Sequence, residues 1–215
     1  MSLPTAYQPT PPTNRHSLFL VFEGVSGIGK STLTKAVADR LDAPSLHTLP
    51  APHSDWSAAV NSRLRPLPQF AFYLSGLLHA ADRVRRHRTT GPVIADRYAS
   101  SVIACHSAVH GIDMTETARL LDPFRPYLEL PDHTFYLHCS EPVLRRRLAA
   151  KERTGKLRPD DAELFAVPGR LTRLLANFEA AAHADPTAIK VDTDDKTADE
   201  LADWVLNHLE TTPRA

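Results

Sequence analysis

Residues 24–31 read Gly-Val-Ser-Gly-Ile-Gly-Lys-Ser and fit the pattern G-x-x-x-x-G-K-[ST] in full, which constrains the fold more than any other stretch of the chain. The apolar run Ser17-Leu-Phe-Leu-Val-Phe22 precedes it, and Thr32 to Leu41 follows with Leu33, Val37 and Leu41 at helical spacing. A buried strand, a glycine turn and a helix start are therefore implied in that order. Amides of such a turn, with the positive end of the helix dipole, surround an anion. Lys30 then reaches the outer phosphates of a nucleoside triphosphate such as ATP, and the Ser31 hydroxyl holds Mg²⁺. Gly24, Ser26, Gly27, Ile28, Gly29 and Thr32 complete the phosphate-binding set. A plain strand-to-helix turn is the competing reading. It does not explain why three of only 8 glycines fall inside the octet.

The rest of the chain alternates in the same way. Strands are predicted at about 17–22, 45–49, 93–96, 133–138 and 188–192. Helices are predicted at about 31–42, 69–88, 99–110, 114–122, 142–151, 161–183 and 198–209. Alternation implies an α/β fold, a five-stranded parallel sheet flanked by helices. Ligands bind such sheets at the carboxyl ends of the strands. Three features fall there: the glycine loop, Asp96-Arg97-Tyr98, and Asp192-Thr193. Residues 1–16, with four prolines, read as a disordered lead-in to one domain spanning 17–211.

Composition narrows the partners. Lys+Arg and Asp+Glu both number 25, so no global field draws the chain to nucleic acid or an anionic membrane. No run approaches the ~20 apolar residues of a membrane span, and no secretory signal opens the chain, so a cytoplasmic protein is expected. Basic residues cluster at Arg83–Arg88 and from Arg145 onward. Cys105-His106 with His110 lacks the second ligand pair of a zinc site.

With these residues in view, the chain resembles the thymidylate kinases, within the P-loop nucleotide kinase group. Four segments carry the likeness: Phe22-Glu-Gly24 through Thr32; Ala81-Asp82-Arg83 with His87; Asp96-Arg97-Tyr98 with Ser101; and Pro131-Asp132-His-Thr134-Phe-Tyr-Leu137. The resemblance implies a kinase, usually homodimeric, that moves the γ-phosphoryl of ATP to a small-molecule acceptor. It places Asp96 beside Mg²⁺ and the transferred group, and Arg97 on the acceptor's phosphate. It makes Arg83 the reader of the acceptor base, with His79 at the stacking position and Tyr98 and Ser26 nearby. Arg147, Arg153 and Arg158 fall in or near a lid at about 145–160. Family members keep a catalytic arginine either in the phosphate loop or in this lid. The loop variables Val25, Ser26, Gly27 and Ile28 are not basic, so Arg153 or Arg158 is implied here.

The sequence departs from the family mainly on the acceptor side. An Arg-Glu-Pro-Gly-like segment, whose arginine grips the substrate monophosphate, is replaced by Thr48-Leu-Pro-Ala-Pro-His-Ser-Asp-Trp56. Ser26 replaces the loop acid, and Cys105-His106 replaces a Tyr-Gln-like pair. Residues 50–56 also faintly resemble the Glu-Pro-x-x-x-Trp segment of deoxynucleoside kinases, with Ala51 in place of the glutamate. A hydroxyl of a deoxynucleoside or sugar-containing metabolite is therefore an alternative acceptor, with Asp96, Asp55 or His53 as its base. A P-loop regulator without an acceptor is a further alternative.

Overall fold

The computed structural model describes residues 17–211 together with Gln8. The disordered lead-in expected over 1–16 lies, Gln8 aside, outside the described residues. The elements are β1 (Phe19–Glu23), α1 (Lys30–Leu41), β2 (Ser45–His47), α2 (His53–Arg63), α3 (Pro66–His87), β3 (Val93–Asp96), α4 (Ala99–His110) and α5 (Met114–Leu121). A 3₁₀ turn (Asp122–Tyr127) leads to β4 (His133–His138), α6 (Glu141–Arg153), α7 (Pro159–Ala166), α8 (Arg170–Ala184), β5 (Ala188–Asp192) and α9 (Ala198–Thr211).

All strand pairs are parallel, in the order β2-β3-β1-β4-β5. Every residue of β1 is buried, as a strand covered on both faces demands. Its side chains alternate: Leu20 and Phe22 join Leu33, Val37 and Val205 in one cluster, while Phe19 and Val21 join Leu77, Ala81 and Val84 in another. Each such side chain stabilises the fold by about 1.5–3 kcal/mol. Strand β1 lies between β3 and β4, and the chain builds β2 and β3 on one side of it and β4 and β5 on the other, so a crevice opens at its carboxyl end.

Two helical boundaries differ from the sequence expectation. Helix α2 occupies residues read as loop, because their prolines (Pro50, Pro52) precede it rather than interrupt it. The single helix expected over 161–183 is two. Pro168 cannot donate to the helical ladder, and Gly169 takes a φ of 69° as the N-cap of α8.

Helix α3 fixes distances to the crevice. It runs back from the carboxyl edge of the sheet, so only its first turns can face a ligand. Its last turn lies at the opposite edge, where buried Arg88 donates to Ser17 O and Asp132 and buried Arg85 to Glu129 and Tyr127 O. These arginines of the Arg83–Arg88 cluster are structural.

His106 of α4 is 7% exposed, with Phe70 and His110 rings at 5.2 and 4.6 Å. Burial first, and the charge of His110 second, pull its pKa from 6.5 to about 4. The unfolded chain then binds a proton that the folded chain refuses between those values. Stability is therefore full above about pH 6.5 and falls as pH drops through the window. We predict a loss on the order of 1–2 kcal/mol between pH 7.5 and 5. Urea unfolding of His106→Leu should show a shallower pH slope than the wild type; equal slopes would exclude this role.

Candidate active site

Helix α1 starts on Gly29, which has a φ of 105°, offers no capping side chain and is followed by no acid in the first turn. Its leading amides lack helical partners by construction and point at the crevice. Gly27, at φ 82°, sits where a Cβ would meet Leu148 of α6 at 2.4 Å, so the loop lies hard against that helix. Arg147 braces it from the same side, donating to Ile28 O at 2.8 Å and to Thr193 Oγ1 at 2.8 Å. Thr193 in turn donates to His138 O, which joins the loop to the ends of β4 and β5. Asp192 accepts from the Asp194 amide.

Lys30 is 5% exposed and donates to Val25 O at 2.6 Å, folding back across the loop. Burial, and next the charge of Arg97, lower its pKa to about 7. An anion in the loop would restore its full charge.

Ser31 Oγ donates to Asp96 Oδ2 at 2.5 Å. The other carboxylate oxygen, Oδ1, is buried with no partner among the described residues. Two hard oxygens beside an anion cradle, one of them left unsatisfied, fit Mg²⁺.

Arg97 has a φ of 74°, a strained value for a non-glycine residue. The strain turns its guanidinium into the crevice, where it donates to Ser101 Oγ at 3.0 Å, Ser26 Oγ at 3.2 Å and Cys105 Sγ at 3.7 Å. Ser26 Oγ donates to Asp160 Oδ2 at 3.5 Å, so the start of α7 reaches the loop. Lys151 of α6 pairs with Asp161 of α7 at 2.9 Å. Arg158 opens α7, its amide on Asp161 and its charge felt at His47. Arg153 ends α6 at the surface.

Sequence reasoning missed Glu23, although it closes β1 and so ends at the crevice. It is fully buried and accepts from the Tyr98 amide at 2.9 Å, the Ser101 amide at 3.1 Å and Ser101 Oγ. The carboxylate thereby caps α4 from another strand. Burial raises its pKa, opposed by the bond from Ser101 and the charge of Arg97.

Lys30, Ser31, Asp96, Arg97 and Ser26 are thus brought together, with Arg158 at the rim. The structure places three acceptor-side candidates apart from this group. Arg83 lies seven residues beyond Gly76, about 10 Å down α3 toward the amino edge, so helix direction takes it away from the crevice. His79 stands against His53 of α2, with ring centroids 5.6 Å apart. Tyr98 is 3% exposed and meets Phe19 edge-on in the core. On α3, Tyr73 is the side chain that feels the charges of Asp160 and Arg97, and it and Gln69 both bond Asn61 Oδ1 at 2.9 Å. Counting the helix back from the sheet, rather than matching Ala-Asp-Arg, would have found them. Among the described residues no group of three His, Cys, Asp or Glu could hold a metal, which includes the Cys105-His106-His110 set.

We predict that Glu23→Ala lowers stability by at least about 2 kcal/mol, because it strands two buried amides. Urea midpoints with an unchanged m-value would measure it, and a change under about 0.5 kcal/mol would refute the capping role.

The thymidylate kinase family model matches residues 22–196. The thymidylate kinase of Leifsonia xyli is 30% identical over 205 residues, covering 89% of this chain and 93% of that protein. The probable thymidylate kinase of Methanocaldococcus jannaschii is 24% identical over 203 residues, covering 92% and 98%. The solved thymidylate kinase of Candida albicans superposes with a TM-score of 0.71 at 18% identity, over 91% of this chain and 92% of that one, a likeness of fold.

Proposed function

The chain belongs to the thymidylate kinase family, and from that premise we propose that it transfers the γ-phosphoryl group of ATP to a nucleoside monophosphate of the thymidylate type. Family membership favours a nucleotide acceptor over the hydroxyl of a deoxynucleoside or sugar metabolite, and over a signalling regulator. The observation that supports the reading best is the unsatisfied Asp96 Oδ1 beside Ser31 and the glycine cradle.

In this reading an acceptor phosphate oxygen attacks the γ-phosphorus, the bond from phosphorus to the β,γ-bridging oxygen breaks, and ADP leaves with that electron pair. An ionised phosphate needs no base to attack. Mg²⁺, held by Ser31 and Asp96, would neutralise charge on the phosphate oxygens. The loop amides orient the triphosphate, and Lys30 swings from Val25 O to its outer oxygens. Arg97 holds the acceptor phosphate, its strained backbone having aimed it beforehand. Arg158 rather than Arg153 supplies the lid cation, supported by the charge of Arg158 reaching His47. Arg147 serves the ATP side by bracing the loop.

We extend the proposal to a homodimer, supported by the family likeness and by exposed Trp56, Leu64 and Leu67 on α2 and the start of α3. Sedimentation equilibrium that finds only monomer would remove that part. Among the described residues no helix is long and apolar enough to cross a membrane.

Lys30→Ala should lower acceptor-dependent ADP release by at least about 10²-fold. Arg83→Ala should leave the acceptor KM within about twofold, as expected for a side chain away from the crevice. Undiminished turnover in Lys30→Ala would refute the kinase reading; a large KM rise in Arg83→Ala would refute the placement of the acceptor.

A further inference from the structure

The segment after β2 is where this chain lacks the arginine that its relatives' resemblance implies, yet it does not leave the crevice bare. His47 closes β2 with its Cα in register with that of Asp96. Partners in register on adjacent strands sit about 4.8 Å apart and point to the same side. The imidazole therefore leaves the sheet beside the carboxylate proposed for Mg²⁺. The charged groups felt at the ring are Asp96, Arg97, Arg158 and Lys30, which are the members of the transfer centre itself.

The ring is also oriented. Its Nδ1 accepts the Leu49 amide at 3.2 Å, so in the neutral imidazole the proton sits on Nε2. The next two residues turn away: Thr48 is 4% exposed, and Leu49 is buried above Gly76, where a Cβ would meet Leu49 Cδ2 at 2.4 Å. Of residues 47–49, His47 alone is exposed.

We propose that His47 orients the acceptor, its Nε2–H donating to an oxygen of the acceptor's phosphate. The inference rests on the kinase reading above and names the group that holds the acceptor from the β2 edge. A neutral N–H fixes one oxygen without adding positive charge to a crevice that already holds Lys30, Arg97 and Arg158. It leaves Arg97 as the acceptor's cation and gives a looser ground-state grip than a two-pronged guanidinium.

Steady-state ADP release, with thymidylate varied at saturating Mg-ATP, tests this in the wild type, His47→Ala and His47→Gln. The alanine variant should raise the thymidylate KM about 10-fold or more, as loss of one hydrogen bond to a charged group does, with the ATP KM within about twofold. The glutamine variant, which keeps an N–H near the place of Nε2, should recover most of the loss. An unchanged acceptor KM in His47→Ala, an equal rise in the ATP KM, or glutamine no better than alanine would overturn the role. If the wild type prefers another nucleoside monophosphate, that compound replaces thymidylate in the same comparison. A wild type that no nucleoside monophosphate stimulates would sink the kinase reading itself, and the role of His47 with it.

Discussion

A carboxylate buried at the end of the central strand ties the site together. Glu23 sits where β1 gives way to the glycine loop, and its Oε1 accepts from the Tyr98 and Ser101 amides at the start of α4 while Oε2 accepts from Ser101 Oγ. That contact fixes where α4 begins, and hence the two residues between Asp96 and the helix. One of them, Arg97, takes a left-handed conformation, and its guanidinium reaches across to Ser26. Without the cap, α4 would begin with unpaired buried donors, and the strained arginine would have no fixed neighbour to hold it. The loop, the helix and the arginine are therefore one device rather than three adjoining ones.

The same region concentrates positive charge before any ligand arrives. Arg97 lies close enough to Lys30 to disfavour the ionised lysine, and burial disfavours it more. Asp96 opposes this only in part. A triphosphate brings the counter-charge that the protein does not supply, so the crevice is complementary to an anion it must take from solution. Keeping Lys30 folded onto Val25 O and Arg97 on neutral hydroxyls stores those charges without committing them to a carboxylate partner.

How much of this was legible in the sequence depended on whether position followed from local pattern. The glycine octet, Asp96 and Arg97 could be placed because each directly follows a strand, and a strand's end is at the crevice whatever the rest of the chain does. Arg83 and His79 could not. Their placement depends on how many turns of α3 separate them from the sheet edge, and a motif match does not count turns. A helix that rises about 1.5 Å per residue moves a side chain out of reach within two turns. The placement of Tyr98 is hidden for a related reason. Once Arg97 goes left-handed toward the ligand, the next side chain is directed into the core beside Phe19. The break at Pro168-Gly169 carried a plain local signal and was simply overridden by the helical pattern on either side.

Histidine 47 belongs to the positions that strand logic should reach. Its signal is masked by the residues that follow it, 48–56, which lack the family's arginine. In a parallel sheet, the last residue of a strand is read together with its register partner, and that partner is Asp96. A substitution that removes a guanidinium from the following turn leaves the strand's own final side chain as the nearest polar group. Gly76 lets Leu49 fill the vacated space with carbon, so water gains no room there. The acceptor edge is thus rebuilt with apolar packing and one oriented imidazole, an arrangement that selects by placing a single donor rather than by adding charge.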